Sequence, residues 1–211
     1  MKFSDESPES GRQSDIPEST QFTENAFLQH IQRSCPVRRP VQVGIGDDGA
    51  VLAGTGDAPF VVVTDMLLDG VHFELGKISP DLAGRKAVAV NLSDLAAMGC
   101  RPTACFLSLA MPRNVPGGSA RRFLQQLYDG ILPLAERYGF TIAGGDTNAW
   151  NGPFAINVCL TGEPVSRQIP LRSGARIGDI VLVSGQLGGS LASGRHLTFE
   201  PRLELAEWLL R

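Results

Sequence analysis

The run Phe60-Val61-Val62-Val63-Thr64-Asp65 narrows the folds open to this chain more than any other segment. It is β-branched and too apolar for a solvent-facing strand, so it predicts a buried strand that ends on an acidic residue. The segments around it show what could cover it. Ser79-Pro80-Asp81 supplies an N-cap, a first-turn proline and a first-turn acid, and predicts a helix running through Ala87, Val90 and Leu92 to Gly99. Asp94 falls inside that helix. Ala104 to Ala110 reads as a strand, and Ser119 to Tyr138 as an amphipathic helix with Phe123, Leu127, Ile131 and Leu134 on its buried side. Strands around Phe140 to Ala143 and Phe154 to Leu160 follow. Helices and strands alternate irregularly, which predicts an α+β fold (mixed α/β) with a mixed sheet and not a doubly wound one.

The ends of the chain differ from this middle. Residues 1–22 carry many Ser, Glu and Pro and few apolar side chains, and are expected to be a disordered tail. A short helix is expected from Thr23, its cap, with Phe27, Leu28 and Ile31 on one face and Pro36 as its stop. Residues 23–163 form the expected main domain. Beyond it, 164–211 reads as a polar, Arg- and Gly-containing linker followed by part of a second domain. That part comprises a strand at Asp179 to Val183, a Gly-rich turn and a short helix from Pro201. It is expected to be a domain cut short at Arg211, too small to bury much alone.

Charge and composition exclude some functions. Hydrophobic residues make up 43% and charged residues 19%, and no apolar run approaches the ~20 residues of a membrane span. A net charge of −3 without a basic stripe argues against nucleic acid as the main partner. Cys35, Cys100, Cys105 and Cys159 show no zinc-ligand spacing and read as reduced, packed residues. With no secretory signal at the polar N-terminus, a cytoplasmic location is expected.

Aspartates carry the chemistry. Gly44-Ile45-Gly46-Asp47-Asp48-Gly49 spells G-x-G-x-x-G, but two carboxylates would face a pyrophosphate and no adequate helix follows, so a dinucleotide turn is rejected. A plain acidic turn and a metal site remain. Asp47, Asp48, Asp65, Asp94 and Asp146 each end or interrupt a predicted element, and convergence would make them a site. Carboxylates brought together repel and need divalent cations to stay ionised, and all-oxygen ligation favours Mg2+. Thr64 could add a hydroxyl. Gly144-Gly145-Asp146-Thr147 reads either as a simple glycine turn or as a turn whose bare backbone N–H groups approach a phosphate. No Walker loop or protein-kinase loop is present, so phosphoryl transfer would need another scaffold.

Five ordered blocks resemble the thiamine-monophosphate kinase family of the aminoimidazole ribonucleotide synthetase superfamily. They are GIGDDGAVL (Gly44 to Leu52), VVTDMLLDGVHF (Val62 to Phe73), KAVAVNLSDLAAMGCRP (Lys86 to Pro102), AGGDTN (Ala143 to Asn148) and LRSGARIGDIVLVSGQLGGSLA (Leu171 to Ala192). The resemblance implies an N-terminal domain whose mixed sheet carries helices on one face and pairs with a second copy in a homodimer, then a second α/β domain, with ATP between them. It implies Mg2+ ligation by Asp48, Thr64, Asp65, Asp94 and Asp146, to which the acidic turn adds Asp47 as a candidate, a thiamine monophosphate contact at His72, and ATP contacts at Gly145, Asp146 and Arg172. The implied reaction is ATP plus thiamine monophosphate giving ADP plus thiamine diphosphate, with several Mg2+ ions and no general base. The alternatives are another ATP-dependent enzyme of the superfamily or a catalytically incomplete dimerising protein. Val63, Asn148-Ala149-Trp150 and Gly188-Gly189-Ser190 depart from the family's usual residues. His30 and His196 receive no role, and Trp150 and Trp208 read as packing residues.

Overall fold

The computed structural model describes residues 24–55, 58–115 and 117–211. The expected tail, the Thr23 cap and the Phe27 side chain lie outside the described residues. Helix α1 spans Glu24–Ser34 and stops two residues before Pro36. The main domain follows as β1 (Val41–Val43), β2 (Ala50–Ala53), β3 (Pro59–Leu68), α2 (Pro80–Ala97), β4 (Cys100–Pro112), α3 (Ala120–Tyr138), β5 (Thr141–Trp150) and β6 (Ala155–Pro164). Among the described residues these strands form one six-stranded sheet in the order β1-β2-β3-β6-β4-β5. Only β4 and β5 are parallel, joined by α3, as a parallel pair requires a crossover.

Alternation along the strands decides which side is covered. Val61, Val63 and Leu67 of β3, Leu107, Leu109 and Met111 of β4, and Ile156, Val158 and Leu160 of β6 are buried in one cluster with α2 and α3. Phe123 of α3 meets Phe154 edge-on, with centroids 5.0 Å apart. The other face is open: Thr64, Met66, Phe106 and Ser108 are exposed. The helices therefore lie on one face, and the strand expected to be buried and to end at Asp65 instead runs on to Leu68, covered on one side and half-open on the other because only one face of the sheet carries helices.

Helix α2 follows the expected capping pattern only in part. Pro80 opens it and Ser79 occupies the N-cap position, but the Ser79 side chain makes no cap bond. Ser119 does cap α3, accepting from Arg122 N at 3.3 Å, and Gly139 ends that helix in the left-handed conformation at φ 73°. The two helices touch backbone to backbone. A Cβ on Gly84 would lie 2.3 Å from Leu127 O, and one on Gly130 only 1.9 Å from Asp81 O.

Two further expectations need correction. Gly144-Gly145-Asp146-Thr147 is not a turn but part of β5, which runs on to Trp150. A Cβ on Gly145 would meet Leu107 O at 1.8 Å, so the bare glycine is what lets β5 close on β4. The second concerns the strand at Asp179 to Val183, which does not form. Val181 is 91% exposed, and an extended apolar segment without a ladder partner gains nothing from strand geometry. The helix predicted from Pro201 does form, as α5 (Leu203–Leu209), preceded by the short α4 (Arg195–Thr198) and a 3-10 turn at Arg172–Gly174. Among the described residues no helix is long and apolar enough to cross a membrane.

Replacing Gly84 or Gly130 by Ala is expected to destabilise the protein. The helix-propensity gain of about 1 kcal/mol is outweighed because a backbone oxygen cannot rotate out of the way as a side chain can. A net loss of about 1–3 kcal/mol should lower the melting temperature by several degrees. An unchanged or higher Tm for both variants in thermal unfolding would refute the backbone contact.

Candidate functional site

Three segments distant in sequence bring carboxylates together on the covered side of the sheet. Asp65 is on the inward-facing side of β3, in phase with Val61, Val63 and Leu67. Asp94 comes from the last turn and a half of α2 and shares a side-chain hydrogen bond with Asp65. Asp48 comes from the glycine turn before β2 and lies close enough to raise the Asp94 pKa. Gly49 explains that approach: a Cβ there would lie 2.8 Å from Val61 Cγ1 and 2.9 Å from Val63 Cγ1, so only glycine lets the turn sit against β3.

The electrostatics follow from burial. Asp94 is pushed up to about 7, first by burial and then by the charges of Asp65 and Asp48, with its hydrogen bond to Asp65 acting in the same direction. Asp65 is also raised by burial, while the Asp94 hydrogen bond and His72 pull it down. Asp94 therefore holds its proton to higher pH than an ordinary carboxylate. Arg172 is the cation of the cluster: its guanidinium pairs with Asp48, and its backbone N donates to Asp47 Oδ2 at 3.2 Å.

His72 faces this cluster from the loop after β3. Its Nδ1 accepts from Leu68 N at 2.9 Å, so the ring proton resides on Nε2, leaving an outward donor. The loop is held by its own bonds, Asp69 Oδ1 accepting from Leu75 N and Gly70 N donating to Phe73 O. Lys86 was missed by sequence reasoning. Its Nζ donates to His72 O at 2.5 Å, and the sequence signal was the Arg85-Lys86 pair set before the apolar stretch Ala87 to Val90 of α2.

Other expected site residues lie elsewhere. Thr64 points to the open face, its hydroxyl donating to Val158 O at 3.0 Å. Gly145 and Asp146 belong to the edge strand β5, three strands from β3, or ~14 Å of sheet at ~4.8 Å per strand. The Asp146 carboxylate is exposed and accepts locally, from Thr147 N at 2.9 Å and Asn148 Nδ2 at 2.7 Å. Among the described residues no three Asp, Glu, His or Cys side chains enclose a point as a complete metal cage. The donor set still fits Mg2+, which keeps several waters and needs one or two carboxylates beside substrate phosphates. A hard dication would also neutralise this half-buried pair of carboxylates.

Stability should report this frustration. Because the Asp94 pKa is raised in the folded state, the folded protein holds a proton that the unfolded chain has released. That contribution is present below about pH 4 and is lost as pH rises through about 7. With chelator present, the Tm of wild type should fall relative to Asp94→Asn between pH 5 and pH 8. Parallel Tm profiles for the two proteins would contradict the assignment.

Residues 46–163 match the family described as AIR synthase related protein, N-terminal domain. A thiamine-monophosphate kinase of Rhodopirellula baltica is 42% identical over 190 residues, covering 87% of this chain and 58% of that one. The crystal structure of a thiamine monophosphate kinase from Aquifex aeolicus aligns with TM-score 0.69 and 26% identity, over 89% of this chain and 63% of that chain. AaThiL complexed with AMPPCP and TMP aligns with TM-score 0.74 and 24% identity, over 92% and 66%. The chain spans less than two thirds of the length of each of these proteins.

Proposed function

Since the chain belongs to the AIR synthase related family, we propose that it takes part in ATP-dependent phosphorylation of thiamine monophosphate to thiamine diphosphate by direct phosphoryl transfer. The observation that carries this reading is the convergence of Asp48, Asp65 and Asp94 from three separate segments, with His72 beside them. The 42% identical relative bears the name of that kinase, and a protein of the same fold is complexed with AMPPCP and TMP.

Each residue has a proposed part. Asp65 and Asp94, with Asp48 and Asp47 behind them, would hold Mg2+, which would neutralise phosphate oxygens and let two anions approach. The Nε2–H of His72 would donate to the phosphate of thiamine monophosphate. Arg172, paired with Asp48 without substrate, offers a planar fork of donors suited to an ATP phosphate. Gly145 and Asp146, on the exposed edge strand, would contact ATP at a second point, with Asp146 as a metal ligand there. Thr64 is left out of the ion site because its hydroxyl is committed to Val158 and Asn157. The acceptor phosphate has a second pKa near ~6 and is largely ionised already, so no residue need act as a general base. The open sheet face, with Met66 58% and Phe106 42% exposed, is the proposed surface for pairing with a second copy. ATP as donor fits a cytoplasmic setting.

Asp65→Asn and Asp94→Asn should each reduce ADP release with thiamine monophosphate by more than tenfold, a barrier increase above ~1.4 kcal/mol. Retention of more than a tenth of wild-type turnover by either variant would remove that carboxylate from the site. His72→Ala should raise KM for thiamine monophosphate more than KM for ATP. Equal changes in both constants would end its assignment as an acceptor contact.

A further inference from the structure

Lys86 is a half-buried cation in α2 that pairs with no carboxylate among the described residues. Its Nζ instead donates to His72 O at 2.5 Å and lies 2.9 Å from Nδ1 of His196 in α4. These partners are 14 residues before and 110 residues after it in the chain. Arg85, its neighbour, donates to Leu197 O at 3.2 Å and to Glu200 Oε1 at 2.8 Å. Glu200 also accepts from Arg137 at 2.8 Å and from Tyr138 Oη at 3.2 Å. Residues 195–200 are thus fastened to α2 and α3 by charged contacts, and Lys86 hydrogen-bonds both to them and to the loop that carries His72.

We propose that Lys86 is a positioning residue that couples docking of residues 195–200 to the aim of His72. The chemistry favours geometry over charge pairing. An ammonium group taken out of water without a counter-ion costs stability, and burial lowers the Lys86 pKa accordingly. What that cost secures is a fixed backbone carbonyl at His72. The Leu68 N–H fixes the His72 ring, and Lys86 fixes its main chain, so the Nε2–H has one direction. His196 completes the link: with Nδ1 facing the ammonium it acts as acceptor, its proton lies on Nε2, and its pKa is lowered by burial and by Lys86. The charged groups around this contact are Lys86 from α2, Arg195 beside His196 in α4, and His72 from the loop. Burial and the Lys86 charge oppose protonation of His196, so the link is closed at neutral pH. The part played by His72 rests on the proposed function, whereas the coupling itself does not.

The test measures the loop directly. Hydrogen exchange of residues 70–75 and the pKa of His196 by NMR are followed in the 1–211 chain with Lys86→Met, which keeps the apolar stem and removes the donors. Loop amides should exchange at least about tenfold faster, as expected for loss of a charge-assisted bond, while α3 amides stay unchanged. His196 should titrate higher than in wild type, because the neighbouring charge has gone. His196→Ala, at a partly exposed site, should speed the same loop amides, and the double variant should exchange no faster than Lys86→Met. Loop exchange unaffected by either substitution, or additive effects in the double variant, would overturn the coupling. His196→Ala decides the matter alone if Lys86→Met does not fold. Titration with thiamine monophosphate separates the two claims: a wild-type chain with the coupling intact and no binding counts against the proposed function and leaves Lys86 its role.

Discussion

Helix α2 has almost no freedom in where it can lie, and the rest of the molecule is arranged around that. On one side Gly84 and Gly130 bring its backbone into contact with that of α3. On another, Ala83, Ala87, Leu92 and Leu95 are buried in the cluster that covers β3, β4 and β6. Small residues on a helix shorten the distance to its neighbours, and a short distance tolerates little sliding. The position of Asp94 opposite Asp65 and that of Lys86 under His72 follow from this one placement. A helix free to shift by a turn would move each of them by ~5.4 Å and dissolve both arrangements.

The carboxylate cluster works against the fold that builds it. Asp94 and Asp65 are both raised by burial, and the charge of Asp65 raises Asp94 further. Arg172 offsets part of the negative charge at Asp48 from a segment beyond the family match. Structure that keeps unfavourable charge in one half-buried place is the expected sign of a site whose ligand supplies the missing opposite charge. The same reasoning does not extend to Asp146, whose exposed carboxylate is satisfied by its own neighbours.

The region after the family match behaves differently from the sheet domain. Residues 195–209 dock through buried Leu197 and Leu203 and through the ion pairs of Arg85 and Arg101 with Glu200 and Glu207. Between them and the sheet, Ile177, Ile180, Val181 and Leu182 stay exposed. The docked part is the part in contact with α2, which makes Arg85 and Lys86 the natural point for one region to influence the other.

Much of this was legible in the residues. The apolar β-branched run from Phe60 marked β3, Pro80 marked the start of α2, and the spacing of Phe123, Leu127, Ile131 and Leu134 marked the buried face of α3, because local periodicity and capping act within a few residues. The five family blocks also pointed to Asp48, Asp65 and Asp94 together. Other features depended on partners that no local pattern encodes. Gly144-Gly145 read as a turn, yet lies in a strand because β4 passes within backbone contact. Asp179 to Val183 read as a strand, yet remains unpaired because a ladder needs a second strand beside it. Sequence alone therefore determined β3, α2, α3 and the residue types of the candidate site. Tertiary structure decided that Asp94 lies beside Asp65, that Thr64 faces away, and that Lys86 bridges His72 and His196, because these depend on distances between chain segments up to 110 residues apart.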